Sequence, residues 1–135
     1  MKSVPFLDLG AVTREVRAEL DLAVRRVLDS GWFIMGPELE AFEAEFAAYC
    51  GARHCVGVGN GLEALHLLLR AYGIGAGDEV IVPSNTFIAT WLAVSECGAT
   101  PVPVEPKPLT HNIEADAISA AITPRTRAIM PVHLY

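Results

Sequence analysis

Hydrophobic residues change their spacing along this chain, and the change predicts helices first and then alternating strands and helices. Apolar residues recur every three or four positions over residues 14–30 and again after Pro37, which predicts two amphipathic helices. From His54 onward, short apolar runs alternate with segments of helical spacing. The predicted strands are a buried one that begins at Val56, then 79–82, 100–104 and 128–132. The predicted helices between them are 62–72, 87–97 and a third that is capped by Asn112 and runs through Ile122.

This β-α-β-α-β-α-β order predicts a mostly parallel sheet with right-handed crossovers, that is, a three-layer α/β/α fold. We therefore divide the chain into an N-terminal arm with helices, residues 1–53, and a series of βα units, residues 54–135. The high hydrophobic fraction, 52%, agrees with a sheet that is covered on both faces.

Composition excludes several classes of function. The net charge is −6 without a basic tract, which argues against nucleic acid as a partner. No apolar run reaches the roughly 18 residues of a membrane span, and the first residues lack a signal peptide. The three cysteines, Cys50, Cys55 and Cys97, have no metal-ligand spacing, so free thiols in a reducing cytoplasm are expected, with no metal site.

The candidate chemistry centres on the run V-G-V-G-N-G-L-E, residues 56–63, where a strand meets a helix. Asn60 can cap that helix, and alternating glycines let a ligand approach the backbone. Unpaired N–H groups and the helix dipole at such a turn suit an anion, although a tight turn without a ligand is the alternative. The run lacks the lysine of a P-loop and the third glycine of a dinucleotide-binding turn.

Ligands of parallel sheets bind at the carboxyl ends of the strands, where three segments of this chain should converge. Besides the glycine turn, these segments contain Phe87 and His133. Phe87 could cover a flat ring or pack in the core, and His133 could act as an acid–base group or as a hydrogen-bonded strand-end residue. Trp32 and Phe33 lie in an aromatic loop that could be a packed connector or a binding loop.

Four motifs in order resemble a known family. They are S-G-W-F-I-M-G-P-E, V-G-V-G-N-G-L-E-A-L-H, G-A-G-D-E-V-I-V-P-S-N-T-F-I-A-T and G-A-T-P-V-P-V-E-P. The chain resembles the N-terminal part of nucleotide-sugar aminotransferases of the DegT/StrS type, which are fold type I enzymes that use pyridoxal 5'-phosphate (PLP). The resemblance implies transfer of an amino group, commonly from glutamate, to a keto sugar nucleotide such as a dTDP-3-keto-6-deoxyhexose.

The resemblance also assigns roles to residues of this chain. Asn60, Gly61 and Leu62 match the turn that holds the PLP phosphate, and Phe87 matches the aromatic residue that stacks on the pyridine ring. The loop with Trp32 and Phe33 matches one near the active site or the dimer contact. The family further implies a homodimer with shared active sites, whereas it gives His133 no role.

One part of the family pattern is missing from these residues. Neither Lys2 nor Lys107 matches the motif of the Schiff-base lysine, which we expect beyond Tyr135. Without that position, two alternatives stay open: a sugar dehydratase of the same family, which has histidine in place of the lysine, and a non-catalytic regulatory or binding domain.

Overall fold

A computed structural model describes residues 4–134 of the chain, so Lys2 and Tyr135 lie outside the described residues. The chain divides into two compact units, Met1–Gly57 and Val58–Tyr135. The predicted division into domains after residue 53 stays a prediction. Within residues 4–134, no helix has the length and apolar character that crossing a bilayer requires.

The described part of the first unit is helical. Its helices are α1 (Leu9–Glu15), α2 (Arg17–Ser30) and α3 (Pro37–Cys50). The prediction of one helix over 14–30 is wrong at its start, because the helix breaks at Val16, whose φ of −108° and ψ of 12° are not helical. Neither glycine nor proline marks this break, so the apolar pattern could not show it. Pro37 occupies the first turn of α3, and Gly51 ends that helix with a left-handed φ of 65°, which are the helix positions that proline and glycine favour.

The second unit is built on a parallel sheet. Its helices are α4 (Gly61–Ala71), α5 (Ala89–Glu96) and α6 (Ala115–Ala121), and its strands are β1 (Glu79–Pro83), β2 (Thr100–Val104) and β3 (Thr126–Ile129). The strand order is β2-β1-β3, and β1 pairs in parallel with both neighbours. The predicted α/β class with a parallel sheet is therefore confirmed.

The chain reverses direction around the central strand, β1. The chain passes from β1 to β2 through α5, and then across β1 to β3 through α6. By the right-handed rule for such crossovers, we expect this reversal of direction to place α5 and α6 on opposite faces of the sheet. Val80 and Val82 join the core cluster beneath α4 and α5, while Ile81, which is also fully buried, points to the other face.

The predicted strand at residues 56–58 is not formed. Val56 is 77% exposed, and the backbone N–H of Gly57 donates to Glu43 Oε1 at 2.7 Å instead of to a neighbouring strand. A strand needs a partner for its backbone groups, and residues 56–58 pair with none of the three strands of this sheet. The order β-α-β-α-β-α-β is thus corrected to three strands within the described residues.

Two helices begin later in the sequence than predicted. The helix predicted from 87 begins at Ala89, because Phe87 lies in the preceding turn, where its carbonyl accepts from Thr90 N at 3.1 Å. The helix for which Asn112 was the predicted cap begins at Ala115, and its cap position is held by Glu114. Asn112 is used in the loop instead, where its carbonyl accepts from Lys107 N at 2.8 Å. Local hydrogen bonds of these turns therefore compete successfully with an earlier helix start.

A buried carboxylate joins the amino-terminal end of β1 to the segment before β3. Glu79 is only 5% exposed, and its Oε2 accepts from Thr123 Oγ1 at 2.5 Å. Its Oε1 accepts from Arg125, whose Nε lies 2.9 Å away. These hydrogen bonds, from Thr123 first and then from Arg125, hold the pKa of the Glu79 carboxyl below its usual value.

We expect Glu79→Gln to lower the free energy of unfolding at pH 7. A carboxyl whose pKa is depressed by folding stabilises the native state above its unfolded pKa of about 4.3, and this contribution is lost as the pH falls through the folded pKa. The difference between the two proteins should therefore shrink below about pH 4. Urea unfolding of the purified proteins at several pH values measures this difference in the free energy of unfolding. Glu45→Gln, which changes an exposed carboxylate in the same way, is the control. An equal difference at all pH values would contradict this prediction.

Candidate functional site

The amino-terminal turn of α4 is closed by two reciprocal hydrogen bonds. Asn60 is extended, with φ −165°, and its side chain accepts from Glu63 N at 3.0 Å. Glu63 in turn accepts from Gly59 N through Oε2 at 3.0 Å. This arrangement is close to a capping box, and the N-x-x-E spacing is the sequence signal for it, although the contribution of Glu63 was not predicted. The predicted cap at Asn60 is observed.

These bonds leave two backbone donors open. Among the described residues, no acceptor lies within hydrogen-bond reach of the Gly61 or the Leu62 N–H. A Cβ built on Gly61 would meet nothing within 4 Å, whereas one on Gly59 would come within 2.7 Å of Glu63 Oε2. Gly59 is thus needed for the internal cap, and Gly61 borders open space. The helix dipole adds partial positive charge at the two open donors.

The turn after β1 holds Phe87 outside the core. The Pro83 carbonyl at the end of β1 accepts from both Thr86 Oγ1 and Trp91 Nε1, each at 3.3 Å. Phe87 itself is 78% exposed. The alternative that Phe87 is a core residue is therefore wrong, because the fold gives its ring little to pack against.

Asn60, Gly61, Leu62 and Phe87 line one open hollow, with a volume of about 900 Å³, between the amino-terminal ends of α4 and α5. We call it the α4–α5 hollow. The sequence did not identify the apolar residues that complete its lining, which are Ala64, Leu65, Ile88, Ala89 and Leu92. The volume lies in the range of sites for cofactors and small ligands. None of the lining residues is a lysine or an arginine.

The other predicted site residues lie elsewhere. His133 is exposed in the segment after β3 and does not line the hollow. Trp32 and Phe33 belong to the first unit, where they are 59% and 67% exposed. No group of three or more histidine, cysteine or acidic side chains within residues 4–134 is arranged to hold a metal ion.

Lys107 is held in an ion pair. Its Nζ lies 3.0 Å from Glu114 Oε1, and this hydrogen bond and the charge of Glu114 raise the pKa of the Lys107 ammonium group. The pair closes the loop after β2, where Pro106 and Ile113 form an antiparallel bridge. Lys107 is thus a cation of a surface loop and a poor candidate for an amine nucleophile.

The fold and the hollow define an α/β domain that offers backbone donors for an anion and an exposed ring beside them. Over residues 14–135 the chain matches the model of the DegT/DnrJ/EryC1/StrS aminotransferase family, and it belongs to that family. Aminotransferases of this family depend on PLP, and the solved relatives include PLP and PMP forms.

Two curated relatives are each 64% identical over 98% of this chain. They are the erythromycin biosynthesis sensory transduction protein EryC1 of Saccharopolyspora erythraea and the dTDP-3-amino-3,4,6-trideoxy-alpha-D-glucose transaminase of Streptomyces venezuelae. The chain spans 36% and 35% of their lengths. A crystal structure of S. venezuelae DesV with a ketimine intermediate matches the whole chain with a TM-score of 0.96 and 62% identity, and the match covers 36% of DesV.

Proposed function

We propose that the full-length protein carrying this segment is a PLP-dependent aminotransferase of nucleotide sugars. Its substrate would be a keto sugar nucleotide, a dTDP-3-keto-6-deoxyhexose by the resemblance, and its amino donor would be glutamate. The transaminase name of the S. venezuelae relative, at 64% identity, supports this substrate class. The observation that carries the proposal is that Asn60, Gly61, Leu62 and Phe87 line the same hollow.

The residues of the α4–α5 hollow fit PLP in two respects. The Gly61 and Leu62 N–H groups would donate to the phosphate, and the open space beside Gly61 would let it approach the backbone. The exposed Phe87 ring would stack on the pyridine ring. When bound, PLP supplies an electron sink for the bonds at the amino-bearing carbon.

This segment would anchor the cofactor without completing its site. Two N–H donors and a helix dipole neutralise only part of a phosphate's charge, and the hollow has no cationic side chain in its lining. We therefore propose that a cation and the amine nucleophile come from other parts of the full-length protein. In this scheme, the hydrogen bonds of Asn60 and Glu63 fix the conformation of the amino-terminal turn of α4. The N–H groups of Gly61 and Leu62 then bind the phosphate.

Phe87→Leu in the full-length protein is expected to weaken PLP binding by about two- to tenfold. The reason is the loss of an aromatic stack, which is worth about 0.5–1.5 kcal/mol. Because Phe87 is 78% exposed, the midpoint of thermal unfolding without cofactor should not change. Titration of the apoprotein with PLP, followed by visible absorbance, measures the effect.

Two further variants make this test specific. Phe87→Tyr keeps the ring and should bind PLP as the wild type does, and Phe6→Leu removes an exposed phenylalanine that does not line the hollow. Unchanged PLP affinity in Phe87→Leu would remove Phe87 from the proposed site. A wild-type protein that binds no PLP would contradict the proposed function itself.

We further propose that the full-length protein is a cytoplasmic homodimer. The loop between α2 and α3 exposes Phe33, Ile34 and Met35 by 67%, 82% and 74%, and adjacent apolar side chains suit a buried contact better than water. The three cysteines are free, which suits a reducing compartment. Light scattering should give twice the protomer mass; an active monomer at working concentrations would reject the dimer.

A further inference from the structure

The ring of Phe87 is not held by packing of its own. It is 78% exposed, so its direction follows from the backbone segment that carries it, residues 84–88, which we call the Phe87 turn. An aromatic stack depends on the relative geometry of the two rings. The contacts that fix the Phe87 turn therefore decide how well this ring can stack on a flat ligand in the α4–α5 hollow.

Backbone hydrogen bonds hold the two ends of the Phe87 turn. At its start, Ser84 N donates to the Val104 carbonyl of β2 at 2.9 Å. Near its end, the Phe87 carbonyl accepts from Thr90 N of α5 at 3.1 Å. These bonds attach the turn to β2 and to α5 separately, so neither of them joins the end of β1 directly to α5.

Trp91 makes that link from the first turn of α5. Its indole Nε1 donates at 3.3 Å to the carbonyl of Pro83, the last residue of β1, which is fully buried. The partly buried indole also packs against the core cluster beneath α4 and α5. Thr86 Oγ1 donates to the same carbonyl at 3.3 Å from within the turn. Neither Trp91 nor Thr86 lines the α4–α5 hollow.

We propose that Trp91, assisted by Thr86, is a positioning residue, which fixes the Phe87 turn so that the Phe87 ring faces the α4–α5 hollow before PLP binds. This inference rests on the proposed function. A ring that is already in its bound orientation loses less conformational freedom on binding, and the affinity for the ligand is higher for that reason. Trp91 thus acts through Phe87 and does not touch the cofactor.

Titration of the full-length apoprotein with PLP tests this role. Trp91→Phe keeps an aromatic ring against the core and removes the indole donor, and it should weaken PLP binding by about two- to tenfold, the effect of one neutral hydrogen bond. The loss should not exceed that of Phe87→Leu, because the stack is all that Trp91→Phe can remove. In a Phe87→Leu background, Trp91→Phe should have no further effect on PLP affinity, since two residues that act on one interaction are not additive.

Two threonine variants complete the set. Thr86→Val removes the other donor to the Pro83 carbonyl with little change of shape, so it should have the same kind of effect and the same dependence on Phe87. It decides the proposal if Trp91→Phe does not fold. Thr13→Val is the matched control, because the Thr13 hydroxyl donates to the Leu9 carbonyl of α1 at 2.9 Å. Thr13→Val should leave PLP affinity unchanged.

Hydrogen exchange of the apoprotein, followed by mass spectrometry over residues 84–88, tests the turn without cofactor. Exchange should be faster than in the wild type for Trp91→Phe and Thr86→Val, and unchanged for Thr13→Val. Three results would overturn the proposal: unchanged exchange in both variants, additive losses of PLP affinity in Trp91→Phe with Phe87→Leu, and a larger loss in Trp91→Phe than in Phe87→Leu. A wild type that binds no PLP would overturn the proposed function, and the exchange result would still decide whether Trp91 fixes the Phe87 turn.

Discussion

Gly61→Val in the full-length protein is expected to abolish stable binding of PLP. The valine side chain would enter the open space beside Gly61, where the phosphate must approach the Gly61 and Leu62 N–H groups. Each hydrogen bond to a charged group is worth about 1.5–3 kcal/mol, so losing both should weaken binding at least about 100-fold. Visible absorbance of the protein after dialysis measures the retained cofactor.

The same variant should still fold. A Cβ at Gly61 meets no atom within 4 Å, and Gly61 is not among the glycines with a positive φ, so we expect the fold to accept a larger residue there. Valine also has a higher helix propensity than glycine. Ala71→Val is the matched control, because it places the same β-branched residue at the exposed end of α4. Full retention of PLP by Gly61→Val, with the control also unchanged, would count against the phosphate site.

Residues 1–135 alone are expected to catalyse no transamination. The reaction needs an amine that is unprotonated part of the time and held near the cofactor. Lys107 is paired with Glu114 at 3.0 Å, and this pairing raises its pKa, so at neutral pH the group is almost entirely protonated. Lys2 lies outside the described residues.

The assay combines purified residues 1–135 with PLP, glutamate and a keto sugar nucleotide, and measures 2-oxoglutarate. We expect no more product than in a blank without protein. Lys107→Ala in the full-length protein should correspondingly leave turnover within about twofold, as is usual for an exposed ion pair of a loop. Product formation by residues 1–135 that disappears in Lys107→Ala would instead make Lys107 the catalytic lysine.

The carboxylate of Glu79 illustrates what a sequence pattern does not reveal. The strand pattern over 79–82 predicts β1, and β1 forms there with one more residue. The same pattern places the charged residue Glu79 at the start of this buried strand, and it does not show which residues pair with the carboxylate. Its partners, Thr123 and Arg125, are more than forty residues away in sequence, and only the pairing of β1 with β3 brings them together.

The strand predicted at Val56 failed for the same physical reason. Alternating valines and glycines indicate an extended backbone, but hydrogen bonding to a neighbouring strand is a property of the assembled sheet. In this structure the Gly57 N–H binds the Glu43 side chain, and the segment remains without a strand partner. Local propensity could not show this outcome, because the competing acceptor comes from α3.

The sequence by itself determined the parts of the site that depend on neighbouring residues. Asn60 caps α4 through a residue three positions away, and glycine at position 61 leaves the backbone accessible, so short-range geometry was sufficient for both. Only the tertiary structure decided that Phe87 is exposed beside this turn and that Trp32 is bonded within its own loop. Exposure and contact depend on where β1, α4 and α5 pack, and that packing is set by residues distant in sequence.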